Sequence, residues 1–187
     1  MYTMNQKLIQ KKLPPGNELQ LQLLINSDQI EERLERVARQ LEKQYDGEEV
    51  TIIMIMKGAF TLIADLMRHL HLPARLDTVH CSSYGHGSKG ELTVKGVEDL
   101  EIRDKHILVI DDIFDTGETL AEVVSQIERK NPASLKSLVL LSKDVPHSTD
   151  YRPDIVLFDI EDRFVVGYGL DYKEYYRGLP DVYAIEM

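Results

Sequence analysis

The segment from Ile107 to Leu120 reads ILVIDDIFDTGETL: an apolar run, adjacent carboxylates at Asp111 and Asp112, a third at Asp115, then Thr-Gly before a helical pattern. Thr116, Gly117, Glu118 and Thr119 stand where the chain turns into that helix. Free backbone N–H groups, hydroxyls and the positive end of the helix dipole converge there, which suits a phosphate. Gly117 lets the backbone approach such an anion with no Cβ in the way. Ordinary capping by Thr116 accounts for Thr116 and Gly117 but not for three acids beside an anion site. Carboxylates so close repel each other, raise at least one pKa and oppose phosphate binding unless a cation or hydroxyl donors come between them. The segment therefore calls for a sugar and a divalent metal. It has neither the G-x-x-x-x-G-K-[ST] spacing of a P-loop nor the G-x-G-x-x-G of a dinucleotide fold.

Elements must hold this loop. Ile30, Leu34, Val37, Leu41 and Tyr45 predict an amphipathic helix from Asp28, with Glu31 three residues on as a capping box and Asp46-Gly47 closing it. Val50–Met56 has no polar alternation, the pattern of a parallel strand buried on both faces. Phe60, Ile63, Leu66, Met67 and Leu70 give a second helix, stopped before Pro73. Arg75 to Ser82 reads as a strand. Gly85, Gly87, Gly90 and Gly96 then punctuate a polar segment to about Arg103, read as a mobile loop that serves as a lid, with a plain hairpin as the alternative. His106–Ile110 and Leu135–Leu141 read as further strands around a helix over 118–130. Strands alternating with helices predict an α/β fold with a central, mainly parallel sheet flanked by helices, its ligands outside the carboxyl ends of the strands. Ile155–Phe158, Phe164–Val166 and an aromatic-rich tail break the alternation and read as an added cap.

The chain has 187 residues, a length for one core, and its 43% hydrophobic and 29% charged composition excludes disordered and fibrous classes. Its net charge of −10 argues against nucleic acid or an anionic membrane as partner. The apolar stretch Ile52–Met56 is far below the roughly 20 residues that span a bilayer, and no signal-peptide pattern opens the chain, so a cytoplasmic location is expected. Cys81, the single cysteine, excludes an internal disulfide and reads as a small strand residue. The six histidines have neither H-E-x-x-H spacing nor a nucleophile motif beside them. Residues 1–18, with Pro14, Pro15 and Gly16, read as an arm without chemistry.

ILVIDDIFDTGET resembles the phosphoribosyl-pyrophosphate motif of the type I phosphoribosyltransferases. MKGAF at 56–60, SSYG at 82–85, LSKDVP at 141–146 and DRFVVGYGLDYKEYYRGLP at 162–180 extend the resemblance over nearly the whole chain and narrow it to the hypoxanthine-guanine phosphoribosyltransferases. The resemblance implies the type I fold as one domain over residues 1–187, with a small hood from about 1–20 and 150–187. It implies transfer of the phosphoribosyl group to hypoxanthine or guanine with release of pyrophosphate, a purine-salvage reaction dependent on Mg²⁺, in a homodimer or homotetramer.

Residue by residue, the resemblance implies that Asp111 and Asp112 accept hydrogen bonds from the ribose hydroxyls. Asp111 stands where the family often has Glu, one methylene longer. Asp115 matches the general base, and residues 115–119 the 5′-phosphate cradle. Lys143 matches the donor to the purine 6-oxo group, which selects oxopurines over adenine. Phe164 would stack on the base, with backbone groups of Val165 and Asp171 reading its edge. Asp171, with Asp111 and Asp112, would hold Mg²⁺. Lys57, Gly58 and Arg177 would bind pyrophosphate, with a cis peptide before Lys57, and Ser83 and Tyr84 would begin the lid. Two competing readings are a nucleotide-sensing regulator that keeps the fold and binds RNA or DNA, and a pyrimidine-type relative. The net charge and the set Asp115, Lys143, Phe164 and Asp171 argue against the first, and FVVGYGLDY against the second.

Overall fold

The structure, a computed structural model, describes residues 19–84 and 91–186. Six strands form the main sheet: β2 (Val50–Met56), β3 (Ala74–Tyr84), β4 (Glu91–Lys95), β5 (His106–Phe114), β6 (Ser134–Lys143) and β7 (Ile155–Ile160). Their order is β4-β3-β2-β5-β6-β7. Every neighbouring pair is parallel except β3 with β4. Helices α1 (Ser27–Tyr45), α2 (Phe60–His69) and α3 (Glu118–Glu128) cover the sheet.

Alternate residues of the central strands serve opposite faces, so these strands are apolar without a break. Ile52, Leu108, Ile110, Leu138 and Leu140 pack with Ile30, Leu34 and Leu41 of α1 and Leu62 and Leu66 of α2. Ile53, Ile55, Ile107, Val109 and Val139 pack on the other face with Leu120, Val123 and Ile127 of α3. The registers bring Met56, Asp111 to Phe114 and Lys143 to the same carboxyl edge of the sheet. That edge is where a doubly wound sheet takes its ligands.

A second, antiparallel sheet of order β1-β9-β8 lies beside it, from β1 (Leu21–Ile25), β8 (Val165–Val166) and β9 (Val182–Ile185). Val166, Tyr176, Leu179, Tyr183 and Ile185 form its own small core.

Four expectations change. The first apolar run expected in the cap, Ile155–Phe158, lies in β7, the edge strand of the main sheet, because its backbone pairs with β6. The expected loop from Gly85 to Arg103 is in large part a hairpin: β4 pairs with β3, and Val97, Leu100 and Ile102 are buried in the core. The capping box is Asn26 with Gln29, not Asp28 with Glu31. Asn26 is extended and its side chain accepts from Gln29 N at 2.9 Å, while Gln29 Oε1 accepts from Asn26 N at 3.0 Å. Strand β5 runs on to Phe114, so the acidic pair sits in strand rather than after it. The expected lid tip, residues 85–90, and the arm over residues 1–18 lie outside the described residues, as do the side chains of Ser83 and Tyr84, which end β3.

Asp181 ties the small sheet to α1. It is buried, with 5% of its surface exposed. One carboxylate oxygen accepts from Ser27 N at 2.8 Å and the other from the Tyr183 hydroxyl at 2.7 Å. Asp181→Ala leaves both donors unmatched, and urea denaturation is expected to show a loss of about 1–3 kcal/mol.

Candidate active site

A cleft of about 440 Å³ opens at the carboxyl edge of β2 and β5. Lys57 and Gly58 enter it from the turn after β2, Asp111 and Asp112 from β5, Asp115, Thr116, Gly117 and Thr119 from the turn into α3, and Asp171 and Arg177 from beside the small sheet. Ten residues singled out in the sequence thus meet in one place. The Met56–Lys57 peptide is cis, as the resemblance implied.

The turn into α3 is built to leave donors free. Gly117 is the N-cap residue, at φ +84°, and no side chain caps the helix. A Cβ at Gly117 would lie 2.6 Å from a Thr149 methyl and 2.7 Å from the Phe114 ring, so glycine meets both the left-handed backbone and the crowding. Thr116 Oγ1 lies 3.5 Å from Glu118 N, a contact at the outer limit of a hydrogen bond. Helix α3 therefore offers its first N–H groups to the cleft. His147 holds the turn from outside, its Nδ1 2.6 Å from the carbonyl oxygen of Asp115 and its ring 4.7 Å from that of Phe114.

The acidic pair is the costly part of the site. Asp111 is 6% exposed, and its Oδ1 accepts from Asp112 N at 2.9 Å. Burial first, and then the neighbouring Asp112 charge, push its pKa well above the ordinary range. Burial raises Asp112 as well, against opposing hydrogen bonds and the Arg177 charge. Cys81 faces the same cleft; burial, then Asp111, push its thiol up to about 11, which makes it a poor nucleophile.

Lys143 lies at the end of β6, beside Asp115 rather than in the lining of the main cleft. Its Nζ donates to Asp115 Oδ2 and to Asp162 Oδ1, each at 3.2 Å. Burial lowers its pKa, but the two carboxylates outweigh it and the net shift is upward. Phe164 is 43% exposed with its ring edge-on to Tyr172 at 5.6 Å, so it is not a core residue. Val165, next to it, is buried and pairs with Ala184, and Glu118 is exposed in the first turn of α3. Arg177 is held by Asp171 at 2.6 Å and donates to the carbonyl of Gly169 at 2.9 Å.

Three contributors escaped the sequence reading. Glu174 pairs with both Lys57 and Arg177, whose hydrogen bonds lower its pKa. Asp162 pairs with Lys143. Gly169 packs so tightly on the turn after β2 that a Cβ there would lie 2.2 Å from the Gly58 carbonyl oxygen. An acid within DYKEYYRG is a weak signal for the first, and nothing in the linear order points to the other two.

With parallel sheet, acidic strand end and uncapped helix in view, comparison with known proteins gives a single answer. The chain belongs to the phosphoribosyl transferase domain family, whose model matches residues 24–173. It is 40% identical over 169 residues to the hypoxanthine-guanine phosphoribosyltransferase of Aquifex aeolicus, covering 89% of this chain and 95% of that protein. Against the enzyme of the same name from Homo sapiens the identity is 36%, covering 83% of this chain and 77% of that protein. A crystal structure of a hypoxanthine-guanine phosphoribosyltransferase from Bacillus anthracis superposes with a TM-score of 0.84 at 34% identity, covering 90% of this chain and all of that one. The hypoxanthine phosphoribosyltransferase of Trypanosoma cruzi in complex with its product IMP gives 0.82 at 31% identity, covering 93% and 98%. The fold is the type I phosphoribosyltransferase fold. These relatives carry enzyme names, and the regulator reading is not favoured.

The raised Asp111 carries a consequence for stability. With its folded pKa above the ordinary value of 3.8, the folded state binds more protons than the unfolded one between those two values, so stability falls as pH rises through that window. Asp111→Asn in metal-free buffer is expected to raise stability at neutral pH, because the amide carries no charge for burial and Asp112 to oppose. The gain should vanish below the ordinary carboxylate range, where both forms are uncharged; thermal melts at several pH values measure it.

Proposed function

We propose that the chain is a purine-salvage enzyme that moves the phosphoribosyl group of phosphoribosyl pyrophosphate onto hypoxanthine or guanine, giving IMP or GMP and pyrophosphate. The observation that carries this is the 3.2 Å contact between Asp115, at the head of an uncapped anion-binding turn, and Lys143. It sets a proton acceptor and a donor for an oxo group side by side, next to the exposed Phe164.

In such a transfer the bond to pyrophosphate loosens first, so positive charge builds on the ribose and negative charge on the leaving group. Asp111 and Asp112 face the ribose, accept from its hydroxyls and stabilise the developing cation. Asp112, half-buried, is the more accessible of the two. Thr116, Gly117, Glu118 and Thr119, with the backbone of Asp115, receive the 5′-phosphate on the first N–H groups of α3. Lys57, Gly58 and Arg177 take the pyrophosphate. Phe164 stacks on the purine while backbone groups of Val165 and Asp171 read its edge. Lys143 donates to the 6-oxo group, which an amino group at that position cannot accept. Asp115 then takes the proton of the attacking imidazole nitrogen. Ser83 and Tyr84 begin the lid that excludes water.

The donor set suits magnesium. Asp111, Asp112 and Asp171 bring hard carboxylate oxygens to one cleft, where burial pulls the first two upward and the Arg177 charge opposes that pull on Asp112. Among the described residues no three ligating groups form a ready cage; Mg²⁺ is commonly held by one or two carboxylates with water and substrate oxygens. When bound, the ion supplies positive charge that offsets the charge on pyrophosphate. The partners we propose are small molecules, with neither nucleic acid nor membrane, and the assembly is a homodimer or homotetramer. The net charge of −10 supports the first part. The described residues contain no helix long and apolar enough to cross a membrane. The salvage reaction, with Cys81 a free thiol, supports a cytoplasmic setting.

Incubation with phosphoribosyl pyrophosphate, Mg²⁺ and one purine at a time should release pyrophosphate with hypoxanthine or guanine and not with adenine; no release with any base would overturn the proposal. Asp115→Asn is expected to keep donor binding while turnover falls by roughly two to four powers of ten. Lys143→Gln should lower kcat/KM for hypoxanthine by roughly ten- to a hundredfold, through loss of a charged hydrogen bond.

A further inference from the structure

The two cations assigned to pyrophosphate already share an anion. Glu174 Oε2 accepts from Lys57 Nζ at 3.2 Å and from Arg177 Nη2 at 3.3 Å. One carboxylate oxygen thus joins the turn after β2 to the segment beside the small sheet. Its backbone is fixed separately: Glu174 N donates to Asp171 Oδ2 at 2.8 Å, and the residue sits at φ +67°. The side chain is 66% exposed and that of Lys57 61%. Ion pairs this open to water are weak and exchange readily.

Arg177 does not depend on the glutamate for its position. It is 19% exposed, held by Asp171 at 2.6 Å, and it donates to the Gly169 carbonyl. Releasing Glu174 therefore leaves one cation fixed and frees the other, a lysine on a flexible stem. Two converging cations repel each other, and a carboxylate between them holds them in register. A pyrophosphate group brings more charge and more acceptor oxygens than one carboxylate and makes the stronger charge-assisted contacts.

We propose that Glu174 is a displaceable internal counter-ion of the donor site. Its carboxylate takes the place of a phosphoryl oxygen between Lys57 and Arg177 and turns out to solvent when the pyrophosphate group arrives. Its return competes with pyrophosphate and favours release of that product. This rests on the assignment of Lys57 and Arg177 to pyrophosphate made above.

The test is titration of pyrophosphate, with Mg²⁺ at fixed ionic strength, into the wild-type protein, Glu174→Gln and Glu174→Asp by calorimetry, with KM for hypoxanthine measured in parallel. Both variants lose the ionic bridge, the first because its amide oxygen carries no charge and the second because it is one methylene short. Both should bind pyrophosphate about two- to fivefold more tightly, the scale of an exposed ion pair, with KM for hypoxanthine unchanged. Unchanged or weaker binding in Glu174→Gln would overturn the proposal, the latter by showing that Glu174 helps to build the site. Tighter binding in Glu174→Gln alone would also overturn it, because a charge-preserving change would then matter as little as a general field effect requires. If the wild-type protein binds no pyrophosphate, the assignment of the site itself fails, an outcome distinct from unaltered binding in the variants.

Discussion

The constraint on which the site depends is desolvation of two neighbouring carboxylates. Asp111 and Asp112 stand on a central strand, where burial opposes the ionisation of both and the Asp112 charge further opposes that of Asp111. A protein meeting only the demands of its core would have apolar residues there, as it does at Val109 and Ile110. What offsets the cost in the structure is partial: a backbone N–H on each carboxylate and the field of Arg177. The remainder has to come from whatever occupies the cleft, which Lys57, Arg177 and the uncapped start of α3 also line.

The two sheets divide that work. The parallel sheet supplies the rigid parts, because strand register puts the turns after β2 and β5 and the end of β6 on one edge. The small antiparallel sheet supplies Asp171, Arg177 and Phe164, and is docked through Asp181 onto the start of α1. Charged groups from sequence-distant segments meet only because both sheets are held to α1 and α2 by a common core that includes Ile30, Leu66, Val165 and Leu170.

Much of this was legible in the sequence where a physical rule acts locally. Strands buried on both faces must be apolar throughout, so β2, β5 and β6 announced themselves, as did the periodic α1 and α3. The contiguous loop at 111–119 carried its own logic of acids beside an anion-binding turn. Where two local rules competed, the reading failed: Asn26-x-x-Gln29 and Asp28-x-x-Glu31 both satisfy the capping pattern, and backbone geometry chose the first. The sequence places Ile155–Phe158 in the cap because the run follows a break in the strand–helix rhythm; the pairing of β7 with β6 is a non-local fact. Strand β1 went unread since its partner β9 lies at the far end of the chain. Asp162 is invisible for the same reason, and Glu174 nearly so: an acid on a surface segment says little about which cation it will face.

The contact between Gly169 and the carbonyl of Gly58 leaves no room for even a methyl group. It sets the segment we propose to frame the base directly against the turn we propose to address the leaving group. The two segments are in direct contact there, so a bulkier residue on one side displaces the other. Any side chain introduced at Gly169 must therefore push the turn after β2 out of place, so this position links two parts of the cleft that the linear order keeps more than a hundred residues apart.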